Sequence, residues 1–453
     1  MGTLAYRLAE KLRHCLPLFV LFFLVLFSPT VFAASLMDVY QLAQSNDPSF
    51  QAAHFQKLAI NEGRKQAIAR MLPTVAGSAE YTQTTQDIKS SDNTVFGAGK
   101  TDFDTKSYSL TLTQPIFHWD LIAGYQQSKA ENLRAEAEYT MAVQDLMVQV
   151  ADLYLQALSA QDQLVFVRSE ETAVAKHFEL ASGRHEMGLI PVTDLHDAKA
   201  RLATTQAKTI AAQNLLDDAL QALQEVAGEP VESLSKLQAE IFLQSPDPID
   251  VGSWIEGALK QNPSIEVQKH AVTVARKEVS RQRSGHYPNL DLIGRYNSQE
   301  TEGTLFGGGS EIDTTDILLQ LNVPIFQGGY VNSRVREAKH QLSIARQELI
   351  KQERAIERQT RSAYLGVNSA IRQVEAFNQS MVSSQLALEA KQEGFLSGLF
   401  TSLAVLDAER DLFLVKQDYA QARYDYLLNS LKLKYATGSL SEMDLTQLDQ
   451  WFR

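Results

Sequence analysis

Leu72-Pro73-Thr74-Val75-Ala76-Gly77-Ser78-Ala79-Glu80-Tyr81-Thr82 and Tyr287-Pro288-Asn289-Leu290-Asp291-Leu292-Ile293-Gly294-Arg295-Tyr296-Asn297 lie 215 residues apart and decide the fold of this chain. Each opens on a proline and then alternates. Val75, Gly77, Ala79 and Tyr81 fall against Thr74, Ala76, Ser78, Glu80 and Thr82, while Leu290, Leu292, Gly294 and Tyr296 fall against Asp291, Ile293, Arg295 and Asn297. Successive side chains of a strand point to opposite faces, so both stretches read as strands with one apolar and one polar face. Each has a partner downstream. Tyr108, Leu110 and Leu112 alternate with Ser107, Ser109, Thr111 and Thr113 before Pro115, and Ile317, Leu319, Leu321 and Val323 alternate with Leu318, Gln320 and Asn322 before Pro324. Proline is rare inside a helix or a central strand, so these four prolines bracket two β-hairpins, about 74–116 and 289–325. The hairpin tips match too, Thr94-Val95-Phe96-Gly97-Ala98-Gly99 against Thr304-Leu305-Phe306-Gly307-Gly308-Gly309.

The duplication runs beyond the hairpins. Asn46-Asp47-Pro48-Ser49 recurs as Gln261-Asn262-Pro263-Ser264, Pro115-Ile116-Phe117 as Pro324-Ile325-Phe326, Gly188-Leu189 as Gly398-Leu399, and Gly228 as Gly438, all in one order at nearly one offset. Such self-similarity marks repeated structural units. After residues 1–33, the expected organisation is a first repeat, 34–245, and a second, 246–453, joined near Ser245-Pro246-Asp247-Pro248. Each structural part of the molecule would then be built from both repeats.

Outside the hairpins the chain is helical. No Gly or Pro occurs from Tyr125 through Ser182, and no Pro follows Pro324. Val143, Leu146, Val150, Leu153 and Ala157 step 3-4-3-4, and Ala420, Tyr424, Leu427 and Leu431 step 4-3-4, the spacing of coiled coils. Glycine costs a helix interior about 1 kcal/mol, so its absence over such runs argues for continuous helices. A segment of roughly 60 to 70 residues would extend about 90 to 105 Å.

At the start, Arg7, Lys11 and Arg13 precede an apolar run from Cys15 to Phe27, followed by Val31-Phe32-Ala33. This reads as a secretory signal cleaved before Ala34, because the apolar run would rise only about 20 Å against a hydrocarbon core of about 30 Å. Its removal takes away the single Cys and leaves 39 basic against 53 acidic residues, a net charge of −14. A thiol-free, acidic, exported chain suits a bacterial envelope compartment and excludes both a disulfide-stapled fold and a basic nucleic-acid binder. With 44% apolar and 21% charged residues, it is not a disordered chain either. No later window of about 18 apolar residues could form a membrane-spanning helix.

Strands with one apolar face suit a lipid-facing β-barrel, in which every backbone group must be paired within a closed sheet. Four strands cannot close one, and the smallest membrane barrels have about eight, so several copies would contribute to a common barrel. A small soluble sheet capped by helices would carry the Thr and Ser faces equally well. It fits poorly with helices near 100 Å, which need neighbours along their whole length to bury their stripes.

Catalytic and metal motifs are lacking. Gly97-Ala98-Gly99-Lys100-Thr101 resembles the end of a phosphate-binding loop, but Thr94 stands where the first Gly is required. The nine His show no HExxH or comparable metal spacing. His177 and His185, eight apart on one helix face, read as solvated side chains, and no nucleophile elbow accompanies the serines. Neither enzyme activity nor a cofactor nor a metal is expected.

The informative motif is a duplicated turn between helices, Met187-Gly188-Leu189-Ile190-Pro191-Val192-Thr193-Asp194-Leu195-His196-Asp197-Ala198 and Ser397-Gly398-Leu399-Phe400-Thr401-Ser402-Leu403-Ala404-Val405-Leu406-Asp407-Ala408. Glycine can take the left-handed conformation that stops one helix, and Thr193 or Ser402 can cap the next. A capped turn with carboxylates near a helix N-terminus would explain the pattern without any further role.

With the Gly-Leu turns, Gln114-Pro115-Ile116-Phe117, Pro324 through Ser333, Val405-Leu406-Asp407-Ala408 and Ala422 through Leu427, the chain resembles the TolC family of outer-membrane channel proteins over its whole length after residue 33. The resemblance implies long antiparallel helices forming a periplasmic α-helical tunnel, continuous with a trimeric 12-stranded outer-membrane β-barrel to which each chain gives four strands. It implies a passive exit duct of a tripartite efflux pump or type I secretion system. Its partners would be two further copies, a periplasmic adaptor, an inner-membrane pump of RND, ABC or MFS type, and outer-membrane lipid. Residue by residue, Gly188, Leu189, Gly398 and Leu399 become adaptor-docking turns. The pore constriction falls on Thr193, Asp194, Asp197, Phe395, Phe400, Ala404 and Asp407, with Asp407 a pore-facing acid whose three copies would favour cations. The family's best-known members have a second acid at Ala404, and a Tyr and an Arg at Phe395 and Phe400. An apolar constriction of three Phe400 side chains is therefore expected in place of a polar latch. A trimeric coiled-coil scaffold or surface adhesin is the rival reading.

Overall fold

In a computed structural model, the described residues are 33–452, apart from 91, 93–97, 232 and 304–307. The expected signal segment up to residue 32 and most of both hairpin tips lie outside them. The first repeat runs α1 (Leu36–Asn46), α2 (Pro48–Ala69), β1 (Thr74–Ile88), β2 (Gly99–Phe117), α3 (Trp119–Glu186) and α4 (Val192–Ala227). The second runs α5 (Val251–Gln261), α6 (Pro263–Arg283), β3 (Asn289–Thr301), β4 (Ser310–Asn322), α7 (Tyr330–Leu396) and α8 (Ser402–Thr437), followed by a short α9 (Glu442–Asp449).

The Pro-marked breaks are the same device twice. Pro48 and Pro263 each open a helix, where the missing N–H costs nothing, after Asp47 and Asn262, whose side chains accept the backbone N–H of Phe50 and Ser264. Asn46 Nδ2 donates to the Ala227 carbonyl at 2.9 Å and Asn262 Nδ2 to the Ala436 carbonyl at 2.8 Å. Each repeat thus ties the end of its last helix to its own first helix break.

The strands form one antiparallel sheet in the order β1-β2-β3-β4, so both hairpins join through β2 and β3. The register keeps the apolar set together: Val75 lies across from Leu112, Leu112 from Gly294, and Gly294 from Ile317. Ser78 and Ser109 hydroxyls meet at 2.8 Å on the other face. The register shifts between Pro115 and Phe117, where the missing proline donor is tolerated. Apolar side chains remain in the open: Ile317, Leu319 and Leu321 of β4 are 82%, 67% and 62% exposed.

The helices α3 and α7 have 68 and 67 residues, about 100 Å each. Away from the sheet α3 pairs with α4 and α7 with α8; toward the sheet α2 and α6 pack on α3, and α6 also packs on α7. The main core sits midway along α3 and in the C-terminal half of α8, where α1 and α9 pack against them. Val150, Tyr154 and Leu158 meet Leu36, Leu223 and Leu445 there, each contributing roughly 1.5–3 kcal/mol for the aliphatic side chains. The Tyr154 hydroxyl is placed within reach of two carbonyls, Ala34 at 3.0 Å and Ser235 at 3.1 Å, pinning the N-terminal segment.

Candidate functional site

At the end remote from the sheet, two turns close the helix pairs. Gly188 (φ +71°) and Gly398 (φ +77°) adopt the left-handed conformation that L side chains disfavour. The following leucines complete the stop: Leu189 N–H donates to the Arg184 carbonyl at 2.9 Å and Leu399 N–H to Gly394 at 2.7 Å, while the glycine N–H groups reach His185 and Phe395. The backbone carbonyls are satisfied within the turn and the side chains are left over. Leu189 and Leu399 are 68% and 79% exposed, beside exposed Met187 and Leu396.

The following helices start differently from expectation. The caps are Pro191, without a side-chain bond, and Thr401, whose Oγ1 accepts the Ala404 N–H at 3.3 Å. Thr193 lies inside α4 and turns to the Asp194 carboxylate at 3.3 Å. Ser402 is freed for a longer link, 2.9 Å from Nε2 of His177 on α3. His177 therefore corrects the reading of a solvated imidazole. It is half-buried, and burial, then Arg201 and Arg184, hold its pKa below the usual value. His185 Nδ1 likewise donates to the Ile190 carbonyl at 3.2 Å.

A cleft of about 510 Å³ opens between the two turns. Asp194, Asp197, Phe395 and Phe400 line it together with Arg184 and Arg201. The Arg184 guanidinium lies 5.8 Å from the Phe395 ring centroid, and Phe400 folds back against Gly394, where a Cβ would come within 2.3 Å of its ring. Ala404 and Asp407 lie further along α8. Asp407 is not a bare acid: Arg201 of α4 reaches its Oδ1 at 3.2 Å and Arg410 at 3.9 Å. Neither arginine was marked by sequence reasoning, which read His177 as solvated and Ser402 as a helix cap and linked neither to the other. Arg201 stands 206 residues from Asp407, and no local pattern links them.

Among the described residues, no group of three or more His, Cys, Asp or Glu could hold a metal ion, and no helix is long and apolar enough to cross a membrane. What the geometry does define is a four-stranded amphipathic sheet continued by a helical extension that ends in paired apolar turns. The family model of outer membrane efflux proteins matches residues 39–229 and 254–439. Outer membrane protein TolC of Vibrio cholerae is 30% identical over 97% of this chain and 98% of that protein. Alkaline protease secretion protein AprF of Pseudomonas aeruginosa is 30% identical over 93% of this chain and 88% of its own length. The Campylobacter jejuni CmeC outer membrane channel superposes with a TM-score of 0.78 at 17% identity, covering 92% of this chain and 90% of that one. The chain belongs to the family of outer membrane efflux proteins, which makes it an outer-membrane exit duct for efflux or type I secretion.

Proposed function

We propose that three copies of this chain close one 12-stranded barrel and continue it as a helical tunnel, each copy contributing both repeats, 34–245 and 246–453, to each part. The observation that carries this reading is the sheet itself. Its order leaves β1, of 15 residues, and β4, of 13, as edges without a partner strand among the described residues, beside a face rich in exposed apolar side chains. Unpaired backbone groups cannot stay in hydrocarbon, so β4 of one copy pairs with β1 of the next. Strands of 13 to 19 residues, about 43 to 63 Å long, comfortably exceed the apolar band of about 25 Å that a membrane barrel presents.

The duct performs no chemistry: cargo received from a periplasmic adaptor and an inner-membrane pump of RND, ABC or MFS type passes down its water-filled lumen. Gly188-Leu189 and Gly398-Leu399 are the adaptor-docking turns, since they expose apolar side chains on backbone already satisfied. Phe395, Phe400, Thr193, Asp194, Asp197, Ala404 and Asp407 form the constriction, with Phe400 as its apolar part. The pairing of Asp407 with Arg201 refines the acid ring, because each carboxylate charge is offset within its own protomer.

Bilayer recordings and electrophoresis test this. A heat-modifiable trimer with discrete conductance is expected; an aqueous monomer that never conducts would instead support a soluble scaffold. Phe400→Ala should raise conductance and sensitise cells to detergent, and Asp407→Ala should weaken cation selectivity.

A further inference from the structure

The chain as a whole is acidic, with a formal net charge of −12, yet at the helix-side end of the sheet its sign reverses. Segments 62–73, 118–125, 277–288 and 323–337 flank the strands, and together hold eight Lys and Arg against four acids, Glu62, Asp120, Glu278 and Glu337. Some of these cations are already paired: Lys65 with Glu62 at 2.6 Å, Arg281 with Glu278 at 2.7 Å, and Arg334 with Glu337 at 3.0 Å. Arg64, Arg70, Arg283 and Arg336 are exposed and form no ion pair among the described residues.

Their position relative to the sheet matters as much as their charge. Outward from two of the strands the order is the same: Ile317, Leu319 and Leu321, then Tyr330, then Arg336 after β4, and Leu290, then Tyr287, then Arg283 before β3. The aromatic layer holds Phe117, Trp119, Tyr287 and Tyr330, with the Trp119 and Tyr287 rings edge to face at 6.1 Å. Hydrocarbon, interface and phosphate follow in that order across one leaflet of a bilayer. Guanidinium groups bind phosphate with two parallel hydrogen bonds, and juxtamembrane basic clusters concentrate anionic lipid.

We propose that Arg64, Arg70, Arg283 and Arg336 form a docking belt for the anionic headgroups of glycerophospholipids in the leaflet facing the helical extension. The proposal rests on the reading that the sheet spans the outer membrane. Its occupant is fixed by charge complementarity and by continuity with the aromatic layer.

The test uses the full assembled protein reconstituted in vesicles of phosphatidylethanolamine, with or without phosphatidylglycerol, and native mass spectrometry to count retained lipid. Phosphatidylglycerol should be retained in preference, by about fivefold for each charge engaged, and the preference should fall as salt rises. The variant with Arg64→Gln, Arg70→Gln, Arg283→Gln and Arg336→Gln should lose it while still inserting and conducting in phosphatidylethanolamine alone. Equal retention of the two lipids by a conducting wild type overturns the belt and leaves the duct intact. So does a preference unchanged in the variant, which would assign it to other groups. If the wild-type protein neither inserts nor conducts in either vesicle, the duct reading fails and the belt with it. The salt dependence of the wild type keeps the test decisive if the variant does not assemble.

Discussion

Four glycines end helices with almost the same backbone, yet the structure predicts that replacing two of them will have unequal costs. Gly398 (φ +77°) and Gly438 (φ +73°) close α7 and α8. Alanine at either must hold a left-handed conformation, at roughly 1–2 kcal/mol. At Gly398 the new methyl enters open space, with nothing within 4 Å. At Gly438 it would stand 2.6 Å from the Gln261 carbonyl oxygen and 2.8 Å from Asn262 Cα, both backbone atoms held by the bond from Asn262 to Ala436. Backbone cannot swing aside as a side chain can, so overpacking adds about 1–3 kcal/mol. Gly398→Ala should therefore cost about 1–2 kcal/mol and Gly438→Ala roughly 2–5 kcal/mol in total. Urea unfolding of the detergent-solubilised protein, followed by loss of helical circular dichroism, reads the difference as midpoints at equal slope. Protein concentration is held constant, because assembly shifts the midpoint. Equal midpoints for the two variants would refute the close packing of Gly438 on the α5–α6 break. A Gly398→Ala variant as stable as wild type would refute the left-handed turn itself.

The neutral imidazole of His177 fits its site, since its pKa is lowered by burial and by Arg201 and Arg184. Its contribution is intact above about pH 6.5 and lost as pH falls from there through the lowered native value. The urea midpoint should drop over this range in wild type and flatten in His177→Gln; parallel profiles would remove His177 from the pH dependence. Arg201 and Asp407 are 43% and 38% exposed at the side chain, so a double-mutant cycle should give only about 0.2–1 kcal/mol of coupling. A value above about 2 kcal/mol would mean that the pair is far less solvated than its exposure indicates. Leu189→Glu combined with Leu399→Glu should abolish export in cells while leaving trimer and conductance unchanged, because two apolar anchors worth about 1.5–3 kcal/mol each would be lost to the adaptor. Export at the wild-type level would dismiss the turns as a docking surface.

Much of this architecture was legible in the chain. Period-2 alternation lies where β1 to β4 run, and the glycine-free stretch from Tyr125 through Ser182 lies within α3. The Gly-Leu pairs fall on the two helix stops. These are local signals, set by the 2.0 and 3.6 residue periods and by a backbone conformation that favours glycine. The capping of α4 and α8 was read less well, because Pro191 and Thr401 compete with Thr193 and Ser402 over one or two residues, and the geometry of the turn chooses between them.

What the sequence determined by itself, then, is a duplicated chain of amphipathic hairpins and long helices stopped by glycine turns, because each of those features is a property of near neighbours. Which charges meet at the turns was decided only by the tertiary structure. Arg201 reaches Asp407 across 206 residues and His177 reaches Ser402 across 225. Both contacts depend on how far each helix is rotated about its own axis when its partner packs against it. Since 3.6 residues per turn does not divide evenly into the heptad, that rotation drifts along helices of this length and is settled by packing.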